Sequence, residues 1–134
     1  MDATPPLYEF LLLSRGRWDA DKSAPEIQDT IDRFYAWYEQ GLADGRLRPG
    51  RRLAVDARLV TRTAVVDGPF TEAKEIVGGY WFIVARSLDE AAAIAAENPC
   101  LSCGLVFEVR PIEPERASAY AVTNETPAAR RLGS

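Results

Sequence analysis

The chain reads as an α+β domain with the element order β-α-β-β-α-β. Three observations predict this order. Two stretches with serine caps have helical character, apolar β-type runs lie on either side of each, and a turn-rich segment separates the two halves.

Residues 7–13 (LYEFLLL) form the first strand. Alternation places Tyr8, Phe10 and Leu12 on one face and Leu7, Glu9, Leu11 and Leu13 on the other. After a polar connector containing Gly16, Ser23 and Glu26 make a capping box, and Pro25 is tolerated in a first turn because its missing N–H had no helical partner there. Ile27, Ile31, Phe34 and Tyr38 then follow as one apolar stripe. The helix ends within residues 41–50, with Gly41 or Gly45 as its C-terminal cap and Pro49 as a stop. Residues 51–66 are β-rich and close on the turn Asp67-Gly68-Pro69. Residues 78–85 form a second long strand. Its run from Tyr80 to Val84 is apolar on both faces, which predicts a central strand covered on both sides. Ser87 and Glu90 make a second capping box, opening an alanine-rich helix that Pro99 ends. Residues 105–112 are the last strand, and Pro111 suits an edge or a strand end. Residues 1–112 are therefore read as one domain and residues 113–134 as a polar, weakly ordered tail.

This is the split βαβ, or ferredoxin-like, arrangement. The helices should cover one sheet face, which takes Tyr8, Phe10, Leu12, Leu105, Phe107 and Val109. The other face takes Glu9, Leu11, Leu13, Val106, Glu108 and Arg110. That face is too apolar to stay wet in a monomer, and pairing of two such sheets predicts a homodimer.

Composition narrows the function. A chain of 134 residues with 47% apolar residues can bury a core without disulfides or metal. Its net charge of −4 argues against nucleic acid as a partner. There is no long apolar run to enter a membrane, and the acidic start MDATPPLYEF is unlike a signal peptide. Two cysteines are too few for a secreted disulfide scaffold. The expected location is the cytoplasm. The sequence has no histidine, which removes the commonest general base and every Ser-His or Cys-His arrangement. Cys100 and Cys103 form a C-x-x-C at the C-terminal end of a helix, where the dipole does not favour a thiolate, and zinc would lack two ligands. No metal and no cofactor are expected. The arginines between Arg46 and Arg62 are read as a solvated strand edge.

The densest motif is residues 67–82, DGPFTEAKEIVGGYWF. Asp67-Gly68-Pro69-Phe70, Glu72, Lys74, Glu75, Gly78-Gly79-Tyr80, the helix start LDEA at 88–91 and EVRP at 108–111 together resemble the DGPF subgroup of the YCII-related proteins. The resemblance covers roughly residues 7 to 112. It implies a ferredoxin-like fold assembled as a dimeric α+β barrel, and no settled activity. Members are often encoded beside sigma factors, which implies an alternative role as a regulatory or interaction module; a non-catalytic structural member is a further alternative. A His-Asp pair suggested for some relatives cannot be carried over to a chain without histidine. Where an acid is common in relatives, this chain reads Val84-Ala85-Arg86.

The candidate site residues follow from chemistry. A cleft near the DGPF turn would use Lys74 and Arg110 to bind a small anionic organic ligand, with Tyr80 or Trp81 as an aromatic wall. Asp67 or Glu108 would move any proton. The same residues have a structural reading, for which turn chemistry and charge pairing suffice. Asp67 caps the turn, Gly68 supplies an unusual backbone angle, Pro69 stiffens it and Phe70 plugs the core. Gly78-Gly79 marks a bulge or a close approach, and Glu9 or Glu108 pairs with Arg110.

Overall fold

Alternation governs the first strand, β1 (Tyr8–Arg15): Phe10, Leu12 and Ser14 are buried, while Glu9, Leu11, Leu13 and Arg15 are half-buried. The structure, a computed structural model, describes residues 5–70, 72 and 76–129. Helix α1 (Ala24–Asp44) starts at Ser23, whose hydroxyl accepts from the Glu26 amide at 3.2 Å, and ends at Gly45 in the left-handed region at φ 84°. Gly45, not Gly41, is therefore the cap. Gly41 lies inside the helix, where a Cβ would come within 2.4 Å of Leu47.

Strand β2 (Leu47–Arg52) begins earlier than the sequence suggested. Pro49 does not lie beyond a loop; it sits inside the strand. A bulge between Arg48 and Arg51 accommodates it, on a strand at the sheet edge where a missing N–H costs little. The β-rich stretch that follows is a separate hairpin of β3 (Arg58–Val60) and β4 (Val65–Asp67), which pair only with each other. Leu59, Val60, Val65 and Val66 are all exposed on it.

Strand β5 (Val77–Ala85) leads to helix α2 (Leu88–Ala95), a 3₁₀ helix (Pro99–Cys103) and strand β6 (Val106–Pro111). Ser87 accepts from the Glu90 amide at 3.1 Å, and the Glu90 carboxylate accepts from the Arg86 amide at 3.2 Å, so the box closes one residue early. Residues 113–127 run through turns and bends, and most of them are exposed.

The four-stranded sheet has the order β2-β5-β1-β6 with every pair antiparallel. With two helices on the sheet, it is consistent with a ferredoxin-like α+β fold. The core lies on one face only. Phe10, Leu12, Trp81, Ile83 and Ala85 from the sheet pack with Phe34 of α1 and with Ala91 and Ala95 of α2. Small residues on α2 allow it to lie close to the sheet. On the outer face, Leu11, Leu13, Tyr80, Phe82 and Val84 are half-buried. Tyr8 was expected on the helix side; at the strand end it is 54% exposed.

The bulge makes a specific demand. A Cβ at Gly50 would fall 1.8 Å from the Tyr80 carbonyl oxygen. Gly50→Ala should therefore lower the Tm by at least about 5 °C, a large single-site effect, as read by thermal unfolding. An unchanged Tm would show that the β2–β5 bulge is soft.

Candidate functional site

A cavity of about 910 Å³ opens at the end of the sheet where β1 and β2 finish and β5 and β6 begin. Its polar floor comes from Ser14 at the end of β1, and its first wall from Trp18 in the connector. Helix α1 contributes Ile31, Phe34 and Tyr35. Arg52 ends β2, and residues 53–57 run on along the rim to Asp56 and Ala57. Pro69, Phe70 and Ile76 come from the turn before β5, and Leu105 and Phe107 from the start of β6. Most of the lining is apolar or aromatic, with a few polar groups among it, which is the usual make-up of a small-molecule site.

Trp81 forms the back of this space. It is 7% exposed and meets Phe34 edge-on, with ring centroids 5.4 Å apart. Phe34 in turn stacks on Tyr38 at 5.8 Å. Such pairs prefer offset or edge geometry because the ring face is negative and the edge positive.

The sequence-derived candidates do not all meet here. Trp81, Gly78, Pro69 and Phe70 line the cavity. Tyr80 lies on the opposite sheet face, because neighbours in a strand alternate. There it packs edge-on against Phe82 at 6.0 Å and borders a shallower hollow with Pro49, Gly50 and Arg51. Glu108 and Arg110 also belong to the outer face, where the Glu108 carboxylate accepts from Arg110 at 2.7 Å and pairs with Arg15 at 3.3 Å. Glu9 pairs there with Arg48 at 2.9 Å. Asp67 is not part of the cavity lining; its side chain is 78% exposed and paired with Arg58 at 2.9 Å. Lys74 and Glu75 lie outside the described residues.

The structural motif residues divide their tasks. Gly68 is not in the left-handed region. Its constraint is crowding instead: a Cβ would stand 3.0 Å from Ala57, whose carbonyl accepts from the Gly68 amide at 2.7 Å. Gly79 is buried, and a Cβ there would meet the Trp81 ring at 2.8 Å and the Arg51 carbonyl at 3.0 Å. Gly78 falls in a register shift between β1 and β5, since Ser14 pairs with Gly79 and Arg15 with Val77. Phe70 is half-buried against the cavity.

Ser14, Asp56, Trp18 and Phe34 were not among the residues read from sequence as a site, and Arg52 was read only as part of a solvated basic edge. Ser14 carried a signal: it continues the buried series Phe10, Leu12 with a hydroxyl where an apolar side chain is the rule.

Cys100 lines the cavity from the 3₁₀ helix, where Asn98 caps its amide at 2.9 Å. Its neighbour Cys103 lies 3.2 Å from the Thr30 hydroxyl. Burial, and then the nearby Cys103, pushes the Cys100 thiol up to about 11. Among the described residues no three His, Cys, Asp or Glu side chains gather to hold a metal. No helix among them is long and apolar enough to cross a membrane.

With this geometry in place, comparison with known proteins assigns the lineage. The model of the YCII-related domain matches residues 10–116. The chain belongs to the YCII-related family. It is also 40% identical over 76 residues to an uncharacterised protein of Rhizobium meliloti (strain 1021), covering 51% of this chain. That match spans 60% of the relative's length. Within this YCII-related domain lie β1 from Phe10, the DGPF turn, β5 and all of β6.

The buried thiol gives a pH test. A Cys100 thiol that ionises at about 11 in the fold and at 9.0 when free keeps its proton longer when folded. Its contribution is thus complete below pH 9 and lost as pH rises through about 11. Urea unfolding at pH 8 and pH 11 should show wild type losing up to about 2 kcal/mol more than Cys100→Ala. Equal losses in the two proteins would refute the buried-thiol account.

Proposed function

We propose that this YCII-related protein is of the DGPF type, works as a cytoplasmic homodimer and holds one small organic molecule per chain in the cavity beside the DGPF turn. The observation that carries the reading is the cavity itself. Its volume of about 910 Å³ falls within the range of ligand pockets, about 300–1,000 Å³, and Pro69 and Phe70 of the turn line it together with Trp81. Two unpaired, buried thiols suit a reducing compartment.

Support for the dimer comes from the outer sheet face. Leu11, Leu13, Tyr80 and Phe82 form a half-buried apolar strip, bordered by the pair Arg48–Glu9 on one side and Arg15–Glu108–Arg110 on the other. An apolar centre with a charged rim is the make-up of a protein interface. Because Asp67 and Glu108 sit away from the cavity, we assign proton transfer to neither, and binding is the reading we favour over catalysis.

Two measurements test the proposal. Light scattering at micromolar concentration should give about 30 kDa, twice the chain mass of 14.8 kDa. Leu13→Arg should shift it to the monomer mass with the circular dichroism spectrum retained; a monomeric wild type would end the dimer proposal. For the cavity, the neutral dye N-phenyl-1-naphthylamine should bind once per chain with a rise in emission. Ala54→Trp, a substitution at an exposed lining position, should remove that signal. Absence of dye binding by the wild type would defeat the ligand-site reading.

A further inference from the structure

One row across the sheet gives the cavity a chemical preference. Arg52 of β2 pairs with Gly79 of β5, and Gly79 pairs with Ser14 of β1. Residues directly opposite in adjacent strands share a face. Arg52 and Ser14 therefore flank a position that has no side chain, two strand spacings or about 10 Å apart. The space over Gly79 belongs to the Trp81 indole, since a Cβ there would meet that ring at 2.8 Å. The row thus presents a cation, an aromatic surface and a hydroxyl in sequence, all three lining one cavity.

The polar ends of this row are uncommitted. Ser14 is 6% exposed, and its hydroxyl makes no hydrogen bond among the described residues. The oxygen is not among the fully enclosed polar atoms without a partner, so it keeps some exposure, and Ser14 lines the cavity. Arg52 makes no ion pair among the described residues, and Asp56, which lines the same cavity, is not paired with it. Gly78 adds an independent observation. A Cβ there would rest 3.5 Å from the Ser14 oxygen, in ordinary contact, and the residue is not in the left-handed region. Neither crowding nor backbone angle requires glycine at this position. Its bareness leaves the Ser14 hydroxyl open to the cavity.

We infer that the cavity takes a flat, largely apolar monocarboxylic acid, with its carboxylate at Arg52, its ring system against Trp81 and a second polar atom at the Ser14 hydroxyl. This rests on the ligand-site reading above and names the class of ligand. A guanidinium matches a carboxylate with two parallel N–H donors, and a ring stacks or packs edge-on against indole. A hydroxyl can donate or accept, so Ser14 suits a phenol, a ketone or an amide at the far end.

Isothermal titration with three probes tests the inference: 6-hydroxy-2-naphthoate, 2-naphthoate without the hydroxyl, and 2-naphthol without the carboxylate. The first should bind tightest. Loss of the carboxylate should weaken binding about tenfold, the scale of a charge-assisted pair, and loss of the hydroxyl about threefold. Arg52→Gln should erase the first difference and Ser14→Ala the second. Gly78→Val should abolish binding of all three with little change in Tm, and Gly78→Ala should weaken it. Gly79→Ala should instead lower the Tm, because the Trp81 ring must move. Equal binding of 2-naphthol and 6-hydroxy-2-naphthoate overturns the inferred class and leaves the ligand site standing. Binding of the neutral dye with no binding of any probe does the same. Failure of dye and probes together removes the ligand site and this inference with it.

Discussion

The indole of Trp81 lies in the space that Gly79 leaves bare, and most of the inner layer is arranged around it. The ring meets Phe34 edge-on at 5.4 Å and Tyr38 at 6.3 Å, which fixes α1 against the central strand β5. Removing a buried tryptophan of this kind typically costs about 3–5 kcal/mol, a large share of the stability of a small domain. The same ring closes the back of the cavity. Core and site therefore share a residue, and the site can be varied safely only through its neighbours. Ser14, Gly78 and Arg52 are such neighbours: two are held by the sheet backbone and the third is exposed.

A small polar network fixes the other end of the helix layer. The Glu97 carboxylate accepts from the Trp37 indole N–H at 3.2 Å and from Arg46 at 3.1 Å. Arg46 also holds Asp44 at 3.0 Å, and its hydrogen bonds keep that carboxyl below the usual carboxylate range. The end of α1, the start of β2 and the end of α2 are thereby placed relative to one another. Exposed pairs of this kind add little stability, and their effect is on geometry.

Much of the fold was legible because it follows from periodicity. The α1 stripe, the two serine caps and the alternation of β1 depend only on local geometry. Strand β2 was not legible. Pro49 and Gly50 are loop residues by every local rule, and only the bulge opposite Trp81 lets them belong to a strand. The β3–β4 hairpin was hidden for the opposite reason: its composition matches the strand before it, and nothing local separates the two. For the site, the sequence marked the DGPF turn and the glycine pair but could not divide the labour between Gly78 and Gly79. Tyr80 and Trp81 are adjacent in sequence, so at most one could face a given cavity, and which one depends on sheet register. Arg52 comes to the rim as the last residue of the strand that local rules hid, and Asp56 through the loop after it, which carries no motif.

The two outer strands of the sheet have a consequence for assembly. One edge is β2, interrupted by Pro49 and the bulge and flanked by Arg51 and Arg52; the other is β6, which ends at Pro111. Proline, charge and bulges at an edge discourage a further strand from adding. Edge addition is open-ended, since each new strand exposes another edge, whereas contact through a sheet face uses up the surface it needs. Under the proposed dimer, guarded edges and an apolar face would favour a small closed assembly over a fibre, and the bulge that interrupts β2 would be part of that bias.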